Sequence, residues 1–572
     1  MNRAAPFLLM GLCVYSAVAA ADNQIFQDKI DAIFASYKKT VSPGCAVGIV
    51  RDGNFVHKRG YGMGSIELQS PLSPESVFYM GSVSKQFTAA SVVLAAEQGY
   101  LSLDDDIRKW IPEISSYGHK ITLRQMLHHT SGLRDEIGLL SLAGDPIENI
   151  HTVRETIDLI ARQKALNFTP GDEYQYSNSN YFLLAQVVQR ATGTRFSQFV
   201  AQNIFEKLGM VHTRFYDDRT VVLQGRIAAY SPREGGDFRV DWSTNFEKVG
   251  DGGLMSNVDD LLLWDRNFYD NKLGKGTLLR ELQTRGMLNN GRTINYALGL
   301  ELAEYRGLPV VEHGGALFGY RTELLRFPEQ KFSVICLCNL ATANPGAKAH
   351  QIADIYLAAQ FPEQAHVSTE AANGGRTRQD RESVSAGQNL AGLYRDPLNR
   401  AFILVATQKD GLTLRNALVD PTSPLEPPTV LILAGANFFE DSKGSKYLFQ
   451  PTASEVRMTW VAPSGVRHEF ERIHEVQLSA AEQKAYSGDY YSDELLATYR
   501  IGPANNKLSL TVGRDEPIEL RPTLRDEFRA NLPGEFREPI VIQFKRDGSQ
   551  LTGFELFAGP SDGVRNIRFV RK

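Results

Sequence analysis

Phe78-Tyr79-Met80-Gly81-Ser82-Val83-Ser84-Lys85-Gln86-Phe87-Thr88 decides how this chain folds. A glycine precedes the serine, a lysine follows it three residues on, and an apolar stretch then runs to Gln98, where Gly99 stops it. The pattern predicts a helix over 84–98 with Ser82 at its start. A spacing of three puts Ser82 and Lys85 on one helical face. An amine there can activate a hydroxyl, and a helix N-terminus favours developing negative charge. Ser36-Tyr37-Lys38-Lys39 has the same spacing but lacks the preceding glycine and the following apolar helix.

Working outward, a first helix is expected near Gln27 to Lys38. A strand over Cys45 to Val50, the turn pair Asp52-Gly53 and a strand over Phe55 to Tyr61 then make a hairpin. Helical patterning dominates from Val77 to Leu300, and Thr122-x-x-Gln125 opens one helix as a capping box, with Gly132 after its end. Strand patterning returns at Leu308 to His313, Tyr320 to Phe327 and Phe332 to Leu340, before a helix near Ala347 to Gln360. The fold class is α+β. Hairpin and later strands form a five-stranded antiparallel sheet covered by the first and last helices, with the helical region as a second lobe and a ligand cleft between lobes.

Two further elements carry chemistry. Pro170-Gly171-Asp172-Glu173-Tyr174-Gln175-Tyr176-Ser177-Asn178 feeds a helix that begins near Tyr181, and it projects the Tyr176 phenol and the Asn178 amide the same way. Tyrosine and lysine titrate near 10 and 10.4, so a phenol beside an ammonium can share the proton of a serine. Val310-Val311-Glu312-His313-Gly314-Gly315-Ala316 ends a strand in a cation-capable ring and two glycines, which let a substrate backbone approach closely. Tyr269-Asp270-Asn271 and Lys272-Leu273-Gly274 mimic these two elements, but they adjoin in sequence and cannot come from opposite walls.

The bulk numbers set the frame. A chain of 572 residues calls for several domains. With 62 Lys+Arg against 66 Asp+Glu, it gives no electrostatic case for nucleic acid or an anionic membrane. Arg3, the apolar run Ala5 to Val18 and small residues through Ala21 predict a signal peptide over 1–21, hence a periplasmic or secreted protein with no membrane span in the mature chain. That leaves Cys45, Cys336 and Cys338, expected as buried structural thiols.

Residues 364–388 are polar and aperiodic, and they read as a linker between the domain 22–363 and a C-terminal region. Beyond it the chain repeats. Gly392-Leu393-Tyr394 matches Gly488-Asp489-Tyr490, Leu412-Thr413-Leu414 matches Leu508-Ser509-Leu510, and Gly465-Val466-Arg467 matches Gly563-Val564-Arg565. The copies lie 96, 96 and 98 residues apart. Domains 389–475 and 476–572 are therefore expected to be all-β, each with about eight strands able to close into a barrel.

With Ser82, Tyr176 and His313 in this order, the chain resembles the serine β-lactamase and penicillin-binding protein superfamily. Leu127-His128-His129-Thr130-Ser131-Gly132-Leu133 and Gly250-Asp251-Gly252-Gly253-Leu254-Met255-Ser256 match it too, and the resemblance covers about residues 25 to 362. The Tyr-x-Asn motif is similar to that of class C β-lactamases and D-Ala-D-Ala carboxypeptidases. Their Lys-Thr-Gly is replaced here by His313-Gly314-Gly315, which resembles D-aminopeptidases and related esterases.

The resemblance implies a β-lactamase/DD-peptidase-like fold followed by two lipocalin-like barrels. It implies acyl transfer without metal or organic cofactor, with Ser82 as nucleophile, Lys85 and Tyr176 as proton carriers, and the Ser82 and Ala316 amides holding the oxyanion. Asn178 would contact the substrate amide, and His313 and Gly315 would line the cleft. In D-aminopeptidases a loop of the last barrel enters the cleft, so Asp526, Glu527 or Glu535 in Leu524 to Pro539 could pair with a free substrate amine; solvated hairpin charges are the plainer reading. His128 and His129 are taken as structural, at a helix end.

The expected activity is a D-aminopeptidase-like peptidase or amidase on small D-amino-acid substrates. A carboxylesterase, a D-Ala-D-Ala carboxypeptidase or β-lactamase, and a penicillin-binding sensor are the alternatives. Partners are a small peptide, amide or ester, and a homodimer is allowed.

Overall fold

The computed structural model describes residues 26–37, 41–233, 235–241, 247–362, 390–398, 400–408, 411–416, 428–435, 437–441, 445–452, 455–461, 467–504, 507–513, 515–532, 539–559 and 563–572. The expected signal peptide and linker lie outside them. The chain divides into two compact units, one drawn from Met1–Leu103, Leu184–Gly286 and Asn295–Gln364, the other from Asp104–Leu183, Met287–Ile294 and Ala365–Lys572.

In the first unit, helix α1 (26–33) precedes strands β1 (Cys45–Arg51) and β2 (Asn54–Tyr61). Helices α2 (Ser84–Glu97) and α3 (Val258–Asp270) follow, then strands β3 (Glu301–Tyr305), β4 (Leu308–Leu317), β5 (Tyr320–Phe327) and β6 (Phe332–Cys338), and helix α4 (Pro345–Tyr356). The hairpin turn is the expected one, with Asp52 and Gly53 both at positive φ (49° and 73°), as the right-handed twist of the flanking strands requires.

The sheet runs β3-β4-β5-β6-β1-β2 with every neighbour antiparallel. It has six strands where five were expected. The extra strand β3 is an edge strand whose charged residues Glu301 and Glu304 face solvent, and such an edge blunts pairing with other chains while hiding the strand among polar residues. One sheet face packs Val47, Leu325 and Val334 against Ile30 and Phe34 near α1 and Ile352 on α4. On the other, α3 comes so close that a Cβ on Gly48 would lie 2.6 Å from Val258 Cγ1. The first and last helices thus cover the sheet as the sequence suggested.

The cysteines depart from expectation. Cys45 and Cys338 form a disulfide, and among the described residues only Cys336 remains a buried free thiol. Register is the reason: β1 pairs with β6 so that Cys45 stands directly opposite Cys338, with Cα atoms 4.0 Å apart. Nothing in the spacing of Cys45 from Cys338 carries that pairing.

In the second unit, helix Glu136–Ala143 starts from an Asp135 cap and ends at Gly144 in the left-handed conformation (φ 71°). With helix Val153–Ala161 it delivers Leu139, Leu142 and Leu159 into one core with Tyr490, Tyr499, Leu510 and Phe554 of the C-terminal sheet. The Tyr499 hydroxyl donates to Leu142 O at 2.7 Å.

The repeat appears as two barrels. Eight strands from Gly392–Arg395 to Arg467–Ile473 close on themselves around Tyr394, Val405, Phe449 and Phe470. The second sheet orders nine strands, but its two end strands, Ile518–Glu519 and Arg521–Leu524, are separated only by Leu520. It is a nearly closed barrel in which one of eight strands is broken. In both copies of the Gly-x-Tyr repeat the buried tyrosine donates to the carbonyl four residues back, Tyr394 to Leu390 O at 2.7 Å and Tyr490 to Tyr486 O at 2.8 Å. No helix among the described residues is long and apolar enough to cross a membrane.

Candidate active site

Ser82 lies in a single turn of 3-10 helix, Gly81–Val83, at the head of α2. Lys85, fully buried, donates to Ser82 Oγ at 3.0 Å and to Asp251 O at 2.8 Å. The motif Gly250 to Ser256 is a backbone clasp around this pair. Gly250 O accepts from Thr88 Oγ1 at 2.7 Å, Gly253 N–H donates to Tyr79 Oη at 2.9 Å, and Leu254 N–H donates to Ser84 Oγ at 3.1 Å. The Asp251 side chain is buried against Lys248 Nζ at 3.3 Å. The sequence marked this motif; its role in seating Lys85 emerges only from these contacts.

Strand β4 crosses directly behind the serine. A Cβ on Gly81 would sit 2.7 Å from Ala316 N, and one on Gly315 would sit 2.1 Å from Met80 O, so both positions demand glycine. Gly81 also adopts φ 53°. Thr322 Oγ1 on β5 donates to Met80 O at 2.8 Å and holds the crossing. The Ala316 amide is thereby set beside the Gly81-Ser82 segment.

His313 is 4% exposed. Nδ1 lies 2.7 Å from Gly314 O, which can only accept, so Nδ1 carries the proton and Nε2 accepts from Tyr296 Oη at 3.0 Å. Burial, and then the nearby Lys85 charge, lower its pKa from 6.5 to about 4. The third motif therefore presents a neutral ring where Lys-Thr-Gly would present an ammonium. Tyr296, which orients that ring, carried no signal in the sequence.

Tyr176 and Asn178 belong to the second unit. The His129 ring packs against Tyr176 in a tilted pair with centroids 4.3 Å apart, and its Nδ1 accepts from Ser177 N–H at 3.1 Å and Asn180 Nδ2 at 3.3 Å. Ser131 Oγ donates to Asn180 Oδ1 at 2.6 Å, which orients that amide towards the imidazole. Asp135 caps Glu136–Ala143 and also accepts from Asn178 N–H at 2.5 Å. His129 holds φ 56°, a conformation that costs a residue with a side chain about 1 kcal/mol or more. It ends a helix, as expected, yet its imidazole and strained backbone shape the Tyr176 loop. The His-Thr-Ser-Gly spelling was the available signal.

The C-terminal carboxylates are already engaged. Glu527 is fully buried, gripped by Arg395 at 2.7 Å and Arg400 at 2.8 Å, and it accepts from Thr523 Oγ1 at 2.9 Å. Asp526 accepts from Arg546 at 2.7 Å and Tyr486 Oη at 2.8 Å. Glu527 thus ties one barrel to the other. Glu535 lies outside the described residues.

Known proteins share sequence and fold with this chain. The family model described as Beta-lactamase matches residues 28–359. A D-aminopeptidase of Gluconobacter oxydans (strain 621H) is 30% identical over 329 residues, 56% of this chain and 60% of its own length. A D-aminopeptidase of Cereibacter sphaeroides (strain KD131 / KCTC 12085) is 26% identical over 533 residues, 90% of this chain and 93% of that protein. The octameric penicillin-binding protein homologue from Pyrococcus abyssi shares the fold with a TM-score of 0.54 at 20% identity, over 79% of this chain and all of that one. A family match over residues 28–359, more than half of the chain, shows that it belongs to the beta-lactamase family of serine hydrolases.

Proposed function

We propose that the chain is a D-aminopeptidase-like amidase that cleaves small D-amino-acid peptides or amides through an acyl-enzyme on Ser82. The observation that carries this reading is His313. A carboxypeptidase or β-lactamase needs a fixed cation for the substrate carboxylate, and a ring that stays neutral to about pH 4 supplies none. Similarity over nine-tenths of the chain to a protein named D-aminopeptidase supports the same choice.

Ser82 Oγ attacks the amide carbon and its proton passes to the coupled Lys85–Tyr176 pair, one member of which is deprotonated as neutral amine or phenolate, the Lys85 nitrogen lying within hydrogen-bonding reach of Ser82. The Ser82 and Ala316 amides take the oxyanion. The proton then moves to the departing nitrogen, the C–N bond breaks, and water releases the acyl group by the same steps in reverse. The basic start, apolar run and small residues of 1–21 support a periplasmic or secreted setting for this chemistry.

Purified protein and Ser82→Ala are to be assayed on D- and L-alanine anilides, a D-Ala-D-Ala peptide, a chromogenic cephalosporin and a butyrate ester. Cleavage of the D-anilide is expected, lost on the order of 10⁴-fold or more in Ser82→Ala. Cleavage of the ester alone points to the carboxylesterase. Hydrolysis of the cephalosporin or the D-Ala-D-Ala peptide alone rejects the substrate class, and full activity in Ser82→Ala rejects the nucleophile.

A further inference from the structure

Asn167 is 8% exposed, and its backbone N–H and both polar atoms of its side chain are hydrogen-bonded. Its N–H donates to Gly132 O at 2.8 Å, and its Oδ1 accepts from Arg565 N–H at 2.8 Å. One amide nitrogen then serves two acceptors, Gly563 O at 2.7 Å in the last barrel and Gln175 Oε1 at 2.7 Å. Gln175 directly precedes Tyr176, and its own N–H donates to His129 O at 3.0 Å. A second tie runs beside the first, Arg565 Nη1 to Glu173 at 3.1 Å. Gly563 must be glycine, because a Cβ would lie 1.9 Å from Gly559 O. These barrel residues are the second copy of the repeated Gly-Val-Arg motif.

Docking of the barrel does not explain this arrangement. Docking is already provided by the buried Arg134–Glu494 pair at 2.5 Å and by the leucines of the shared core. Asn167 divides its two amide hydrogens between the barrel and the loop, which an isosteric Asp cannot do and an Ala cannot begin to do.

We propose that the last barrel is a working part of the catalytic apparatus, with Asn167 as a positioning residue that transmits its placement through Gln175 to the Tyr176 phenol. This rests on the reading of Tyr176 as a proton carrier for Ser82. The barrel then supplies geometry rather than a substrate-binding carboxylate.

The test uses full-length protein labelled with ¹³Cζ-tyrosine, the Tyr176 resonance being assigned with Tyr176→Phe, together with the rate at which a fluorophosphonate modifies Ser82, read by mass spectrometry. In that reaction Ser82 Oγ bonds to phosphorus and fluoride leaves with the serine proton. Asn167→Ala is expected to shift or broaden the Tyr176 resonance and to slow phosphonylation on the order of 10- to 100-fold. Gln175→Ala, which leaves the barrel docking contacts in place, is expected to do the same and stands in if Asn167→Ala does not fold. Because Asn167 acts through Tyr176, adding Asn167→Ala to Tyr176→Phe is expected to slow the reaction no further.

An unmoved Tyr176 resonance, or slowing that multiplies in the double variant, overturns the proposal. A moved resonance in a protein whose wild-type Ser82 never reacts supports the barrel's role and discards the hydrolase reading instead.

Discussion

His313 keeps its one proton on Nδ1, facing Gly314 O, and accepts a hydrogen bond from Tyr296 Oη on Nε2, so the ring is held as a single neutral tautomer. Burial and Lys85 make the ring reluctant to charge. In the unfolded chain it protonates below 6.5, in the folded protein only below about 4. The unfolded state therefore binds more protons between those values. The His313 contribution is fully present above pH 6.5 and is lost as pH falls towards about 4, reaching about 3 kcal/mol. Denaturant unfolding of wild type and His313→Gln across pH 7.5 to 4 should show the variant losing less stability; parallel curves would refute the assignment. The sequence singled out His313 because His-Gly-Gly is a local pattern, and the structure sets it inside strand β4 (Leu308–Leu317) rather than at the expected strand end. The sequence could not supply Tyr296, whose hydroxyl reaches the ring only through the fold.

At the scale of elements, the central strands β1 and β6 are legible as apolar runs, and the Asp52-Gly53 turn is legible from two residues, since both depend on local conformational preference. Edge strand β3 was missed because it is short, none of its residues is fully buried, and Glu301 and Glu304 break any alternating apolar pattern. The Cys45–Cys338 bond joins β1 to β6 across a sequence separation of 293. Closing so long a loop restricts the unfolded chain, so the Cys45→Ala/Cys338→Ala variant should lose roughly 2–5 kcal/mol in equilibrium unfolding. If wild-type stability is instead unchanged by a reducing agent that demonstrably opens the bond, the disulfide holds nothing. The backbone clasp of Gly250 to Ser256 belongs to this scale as well, its glycines letting three main-chain groups close on α2.

Within the second unit, helices Glu136–Ala143 and Val153–Ala161 share one core with the last barrel, and Arg134 forms a buried ion pair with Glu494 of that barrel. Arg134 and Glu494 are each 1% exposed in their side chains. Arg134 also donates to Gln163 Oε1 at 2.8 Å and Asn566 O at 3.2 Å, and Glu494 also accepts from Lys164 N–H at 2.8 Å. Removing one partner strands a charge in a dry interior, so Glu494→Ala should cost about 3–5 kcal/mol in denaturant unfolding. Arg134→Met/Glu494→Leu should recover part of that loss by taking both charges out. A Glu494→Ala protein as stable as wild type would mean that water reaches the pair.

The amino-acid sequence by itself determined the family, the Ser82–Lys85 pair, the hairpin, the capping box at Thr122 and the barrel repeat, because each is written in residues that are neighbours or that recur at a fixed period. Only the tertiary structure decided the Cys45–Cys338 pairing, the neutral tautomer of His313, the burial of Glu527 between two arginines and the grip of Gly563 and Arg565 on Asn167. Those depend on strand register and on contacts between residues up to about 400 positions apart, where no local preference of the chain records who meets whom.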